Sequence, residues 1–265
     1  MKNLIVLALV GIGLSGCIST STNTDYKSYH SANELSKSRL IARLIDDASQ
    51  EVEISNDMFK SKGYVEYTKD FFRTIGSTPY GGATVEAPKI AMKSRKTDTS
   101  LILDLQMYNV EPIFYAKGEY LLDPISGKLD PSTTVFINTV KRIVGRFSTQ
   151  IKDSGLDMVI KAIYIGGADN TPLRRPIPFS SKIGSIDETV VVNGQRNVKV
   201  VVKNGGFIRS NIELATVRGV AISRAIDHHI APIKLDKSFK VELSDRVGDE
   251  YRFVKLQLQI VEAKK

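Results

Sequence analysis

The spacing of apolar positions divides the chain into helical and extended stretches. Ser31 and Glu34 stand at capping-box spacing. Leu35, Leu40, Ile41, Leu44 and Ile45 then recur at the intervals that line one helix face, which predicts a helix over 32–50. Met58, Tyr64, Tyr67, Phe71, Phe72 and Ile75 fit a second amphipathic helix before Gly76, Pro79, Gly81 and Gly82 interrupt regular structure. Beyond residue 84 the runs shorten. Residues 101–107 and 113–122 read as strands on either side of a turn-favouring stretch at 109–112.

The second half is more regular. Asp130 and Pro131 supply an N-cap and a first-turn proline, and Phe136, Val140, Ile143, Val144, Phe147 and Ile151 form an apolar stripe, predicting a helix over 131–152. The compact run 158–165 has strand length and stops at Gly166, Gly167, Ala168 and Asp169, which puts Asp169 at a strand's carboxyl end. After Pro172, Pro176 and Pro178, two β-branched runs at 189–192 and 198–202 flank Asn193 and Gly194, a hairpin signal. A helix over 211–230 follows from Val217, Val220, Ala221, Ala225 and Ile226, with Pro232 just past its end and Asn211 a candidate N-cap. In the last strand, 251–261, Val254, Leu256, Leu258 and Ile260 alternate with Lys255, Gln257 and Gln259, the period of a half-buried strand. Strands and helices in this order predict an α+β or α/β fold: a mixed βαβαβ sheet with helices on one side, an inserted β-hairpin and a smaller N-terminal α+β region.

The first seventeen residues add an address. Lys2 precedes an apolar run over 4–14, too short for a membrane-spanning helix, and Leu14, Ser15 and Gly16 lead into Cys17, the chain's one cysteine. The pattern resembles a bacterial lipoprotein signal, which implies removal of residues 1–16 and acylation of Cys17. Several acyl chains make attachment durable, at roughly 0.8 kcal/mol per buried methylene. Ile18 and Ser19 follow the cysteine in place of the inner-membrane retention Asp, so the expected location is the periplasmic face of the outer membrane. Residues 17–30, rich in Ser, Thr and Asn, read as a lipidated tether.

A net charge of +8 would suggest nucleic acid in a cytosolic protein, but for an exported lipoprotein the expected counterpart is an anionic envelope polymer or membrane surface, with no nucleic-acid partner. The sequence carries no serine-nucleophile motif, phosphate loop or paired-carboxylate signature, so we expect no enzyme and no cofactor. His228 and His229 beside Asp227 point in different directions on a helix and lack a third ligand at metal spacing, so no metal site is expected.

Ile163, Tyr164, Ile165, Gly166, Gly167, Ala168 and Asp169, followed by Asn211, Leu214, Ala215, Arg218, Gly219 and Ile222, resemble the OmpA-like peptidoglycan-binding domain family. Lys128, Leu129, Asp130 and Pro131 echo the entry to that family's first helix, and Arg252, Phe253 and Val254 echo its terminal Asn-Arg-Arg-Val pattern. The resemblance covers roughly the last 150 residues. It implies that Asp169 receives the ammonium group of diaminopimelate in a peptidoglycan stem peptide and that Arg218 takes its carboxylate, with Asn211 and Arg252 as further site residues. The chemistry is coherent, since a zwitterionic centre needs one anion and one cation, and guanidinium binds carboxylate through paired hydrogen bonds. The sequence departs from the family at Ser210, Gly219 and Phe253, and by the segment 170–210 in place of a short loop.

The expected organisation is thus a signal at 1–16, a tether at 17–30, an N-terminal region at 31–112 and an OmpA-like domain at 113–265 with its insertion at 170–210. The expected function is noncovalent peptidoglycan binding that links outer membrane to wall. The alternative is a structural lipoprotein subunit of an envelope-spanning secretion, conjugation or motility machine, with the domain mediating protein assembly.

Overall fold

The computed structural model describes residues 24–74, 88–97, 99–108, 120, 129 and 131–263. Residues 1–23, including Cys17, and all of the expected 113–122 strand except Tyr120 lie outside the described residues.

Helix α1 runs Thr24–Lys60 and, after Ser61, α2 covers Lys62–Thr74. Strands β1 (Lys89–Lys96) and β2 (Leu101–Tyr108) precede α3 (Pro131–Ser154). Then come β3 (Met158–Ala168), β4 (Ile177–Pro178), β5 (Ile186–Val192), β6 (Arg196–Val202), β7 (Phe207–Ile208), α4 (Asn211–Ile230), β8 (Asp236–Leu243) and β9 (Val254–Glu262).

The length of α1 corrects two expectations. The tether predicted over 17–30 is helical from Thr24, and the helix predicted to stop at 50 continues to Lys60. Its buried stripe is Leu40, Ile41, Leu44, Ala48, Val52 and Phe59, with Glu51 and Ser55 buried beside it. Those two polar residues on the packed face obscured the stripe in the sequence. No breaker stands between Thr24 and Asn33, so helix already nucleated by packing propagates toward the N-terminus. Leu35, expected on the packed face, is 53% exposed.

Seven strands form one mixed sheet in the order β1-β2-β9-β3-β8-β5-β6. β8 is parallel to both β3 and β5, and the other pairings are antiparallel. The boundary expected at 112/113 falls outside the described residues, and the strands on its two sides share this sheet through β2 and β9. Helices α1, α3 and α4 lie side by side on one face, α4 over β3 and β8 and α1 over β1. Facing them are Ile90, Leu103, Leu105, Tyr164, Phe239, Val241, Leu256 and Leu258, which join Ile137, Val140, Phe147, Leu214, Val217 and Ile226 in a single core. Burying a side chain of this size contributes about 1.5–3 kcal/mol.

The hairpin is formed as its Asn-Gly pair predicts, with Asn193 at φ 49° and Gly194 at φ 70°. It extends the sheet beyond β8. Short β4 and β7 form a separate two-stranded ladder within the insertion, held by Tyr120, whose hydroxyl donates to Pro178 O (2.7 Å) and accepts from Ser180 N (2.8 Å).

Candidate functional site

The carboxyl end of β3 is shaped by two glycines. A Cβ on Gly166 would stand 1.9 Å from Ala215 O of α4, and one on Gly167 would stand 2.6 Å from Tyr251 O. Glycine therefore lets α4 close in from one side of the strand and the 251–253 segment from the other. Gly167 N donates to Phe253 O at 2.8 Å, which ties the entry of β9 to the end of β3.

Asp169 follows immediately, with its side chain 8% exposed. Its Oδ2 accepts from Arg252 Nη2 at 2.8 Å, from Thr171 Oγ1 at 2.6 Å and from Gly248 N at 3.4 Å. Among the described residues Oδ1 accepts no hydrogen bond. Burial pushes the carboxyl pKa up, but the hydrogen bonds of Arg252 and Thr171, the Arg252 charge and the Gly248 amide outweigh it, and the net value falls to about 2. The group is an anion throughout the physiological range, with one oxygen committed and the other unpaired among the described residues.

Asn211 braces this loop from behind. Its Nδ2 donates to Asp169 O (2.9 Å) and to Thr171 O (3.1 Å), fixing the backbone on both sides of Asn170. It is not the N-cap of α4. Ser210 holds that place, in extended conformation, with its side chain accepting from Glu213 N. Asn211 is instead the first helical residue, which turns its amide toward the end of β3.

Arg218, to which the resemblance gives the ligand carboxylate, has a protein partner of its own. It is 1% exposed, and its Nη1 donates to Gly167 O at 2.8 Å. One turn beyond Leu214 on α4, it lies beneath the glycines, in the layer between helix and sheet. The cation at the Asp169 carboxylate is Arg252, 11% exposed and delivered by the segment leading into β9. The structure thus brings Asp169, Asn211 and Arg252 together around one loop and gives Arg218 the strand carbonyl behind it. Thr171 and the Gly248 amide complete the group and were missed. The Asp-x-Thr spacing is a signal for the former, whereas nothing local marks the latter.

His229 places Nδ1 against Ala225 O of its own helix at 2.7 Å, and the His228 and His229 rings meet edge to face at 5.5 Å. Among the described residues no group of three or more His, Cys, Asp or Glu is placed to hold a metal ion, and no helix is long and apolar enough to cross a membrane. No family model matches the chain, and no curated protein matches it.

Proposed function

We propose that this protein is a lipid-anchored envelope protein that grips peptidoglycan noncovalently at the carboxyl end of β3. The observation that carries the reading is a carboxylate held ionised beside a guanidinium, whose Oδ1 accepts no hydrogen bond among the described residues. A zwitterionic diaminopimelate centre would set its ammonium on Asp169 Oδ1 and its carboxylate against Arg252. Asn211 and Thr171 hold the acid in place, and Arg218 positions the strand end by bonding Gly167 O. Cys17 would carry the acyl chains and keep the domain at the periplasmic face of the outer membrane. A charge-assisted contact of this kind is stronger than a neutral hydrogen bond.

One observation favours a second reading. The hairpin lengthens the sheet to an edge at β6, and edges of this kind accept partner strands. In that reading the chain is a structural subunit of an envelope-spanning secretion, conjugation or motility machine. Calorimetric titration with a soluble stem peptide ending in diaminopimelate, against the same peptide ending in lysine, separates the two. Binding of the first alone, lost in Asp169→Asn, supports the wall-binding reading. Binding of neither by the folded protein removes it and leaves the assembly reading.

A further inference from the structure

The face of the sheet turned away from the helices carries a charge pattern that the wall site does not use. The strand register assigns to it Lys89, Lys93 and Arg95 of β1, Asp104 of β2, Lys255 of β9, Lys161 of β3, Lys240 and two acids of β8, and Asp187 and Lys199 across the hairpin. Every described acid on it is matched within the face. Arg95 meets Asp104 at 3.1 Å, Lys161 meets Asp236 at 3.2 Å, Lys255 meets Glu242 at 2.8 Å, and Lys199 meets Asp187. Lys89, Lys93 and Lys240 remain without an acid partner among the described residues.

The surplus is spread in two dimensions. Four inter-strand steps separate β1 from β8, and at about 4.8 Å per step Lys93 and Lys240 lie roughly 20 Å apart across the sheet. Ile163, Ile165 and Gln257 are buried at the centre of this face, Ile102 and Val191 are half-buried between the charges, and Val201 is exposed near the hairpin edge. No described helix packs on this face.

We infer that the charged rim of this sheet face, where Lys89, Lys93 and Lys240 stand, is a docking surface for an anionic lipid bilayer. A linear polyanion concentrates its charge along one line and is met by a groove or stripe of cations. A bilayer presents headgroup charge in a plane, which suits surplus lysines spread over a broad sheet. The four matched pairs keep their partners and add no repulsion, so Lys89, Lys93 and Lys240 supply the net attraction. The inference does not depend on the peptidoglycan reading, because the face shares no residue with the Asp169 group.

The test is vesicle flotation of the chain from residue 24 onward, which contains every element described above and has no acyl group. The vesicles are phosphatidylcholine with about 30% phosphatidylglycerol, against phosphatidylcholine alone. Lys89→Gln/Lys93→Gln/Lys240→Gln is compared with Arg39→Gln/Arg43→Gln/Lys69→Gln, which removes equal charge from exposed helix positions. Circular dichroism confirms that both variants are folded. The expected result is binding to the anionic vesicles alone, weakened at least about tenfold by the sheet triple, less than about twofold by the helix triple, and released by salt. Three outcomes would overturn the proposal: no flotation of the folded wild type, equal loss in the two triples, or binding to soluble dextran sulfate without binding to vesicles.

Discussion

Among the described residues a carboxylate is buried against arginine in two places, and the two differ in what is left over. Between α1 and α3, Glu51 is 2% exposed and both its oxygens are taken, Oε2 by Arg142 Nε at 2.5 Å and Oε1 by Arg146 Nη2 at 2.8 Å. Ser55 and Thr139 complete the cluster, with Arg142 Nη2 donating to Ser55 Oγ at 2.9 Å and the two hydroxyls 2.6 Å apart. At the end of β3, among the described residues, three donors converge on Asp169 Oδ2 and none on Oδ1. A saturated acid fixes how two helices pack. At Asp169 one oxygen is left without a donor among the described residues, which is where the proposed ligand would bind.

The glycines of the two regions differ in the same sense, and they set the largest and smallest expected effects. Gly166→Ala forces a methyl into the Ala215 carbonyl at 1.9 Å, which only backbone movement relieves. We expect destabilisation of about 4 kcal/mol or more by urea unfolding. A folded variant of near wild-type stability would break the claim that close approach of α4 shapes the site.

Glu51→Ala removes the shared anion of two arginines. Because Arg142 and Arg146 are 40% and 42% exposed and can rehydrate, the expected cost is about 2–3 kcal/mol, below that of breaking a fully buried pair. The variant should bind ligand as wild type does, and a loss of binding at matched stability would erase the distinction between the regions.

Asp169→Asn should cost about 2 kcal/mol at pH 7, the stability tied to lowering its carboxyl from 3.8 to about 2. A carboxyl whose folded pKa lies below its unfolded pKa stabilises fully above the unfolded value and stops doing so as pH falls through the folded one. Wild type should therefore lose this increment between about pH 4 and pH 2. Acid titration of both proteins should show their stabilities converging across that window, and parallel curves would contradict the assigned ion pair.

Gly145→Ala is the smallest change. It lies within α3, and an added Cβ there meets nothing within 4 Å. Replacing a helical glycine should stabilise by about 0.5–1 kcal/mol, read as a rise in urea midpoint. Destabilisation would mean that α3 packs more tightly there than the structure places it.

Much of the fold was legible because its signals are local. The 211–230 helix, the Asn193–Gly194 hairpin and the alternation of β9 each rest on turn chemistry or on period, and each stands where the pattern put it. Strand β1 escaped a specific assignment because Lys89, Lys93, Arg95 and Lys96 dilute its pattern and Ile90 is its one buried apolar residue. The site was half legible. Gly166, Gly167 and Asp169 announced a strand end, but spacing along the chain does not say which guanidinium reaches the carboxylate. Arg252 arrives from 83 residues away through the pairing of β9 with β3, while Arg218, nearer in sequence, spends a donor on Gly167 O.

The most direct test is co-sedimentation of the chain from residue 24 onward with purified diaminopimelate-type sacculi, in parallel with folded Asp169→Asn and Glu51→Ala proteins. The account predicts that wild type and Glu51→Ala pellet together with the sacculi and that Asp169→Asn stays in solution. A folded wild type that remains soluble, or an Asp169→Asn protein that pellets as wild type does, would contradict it.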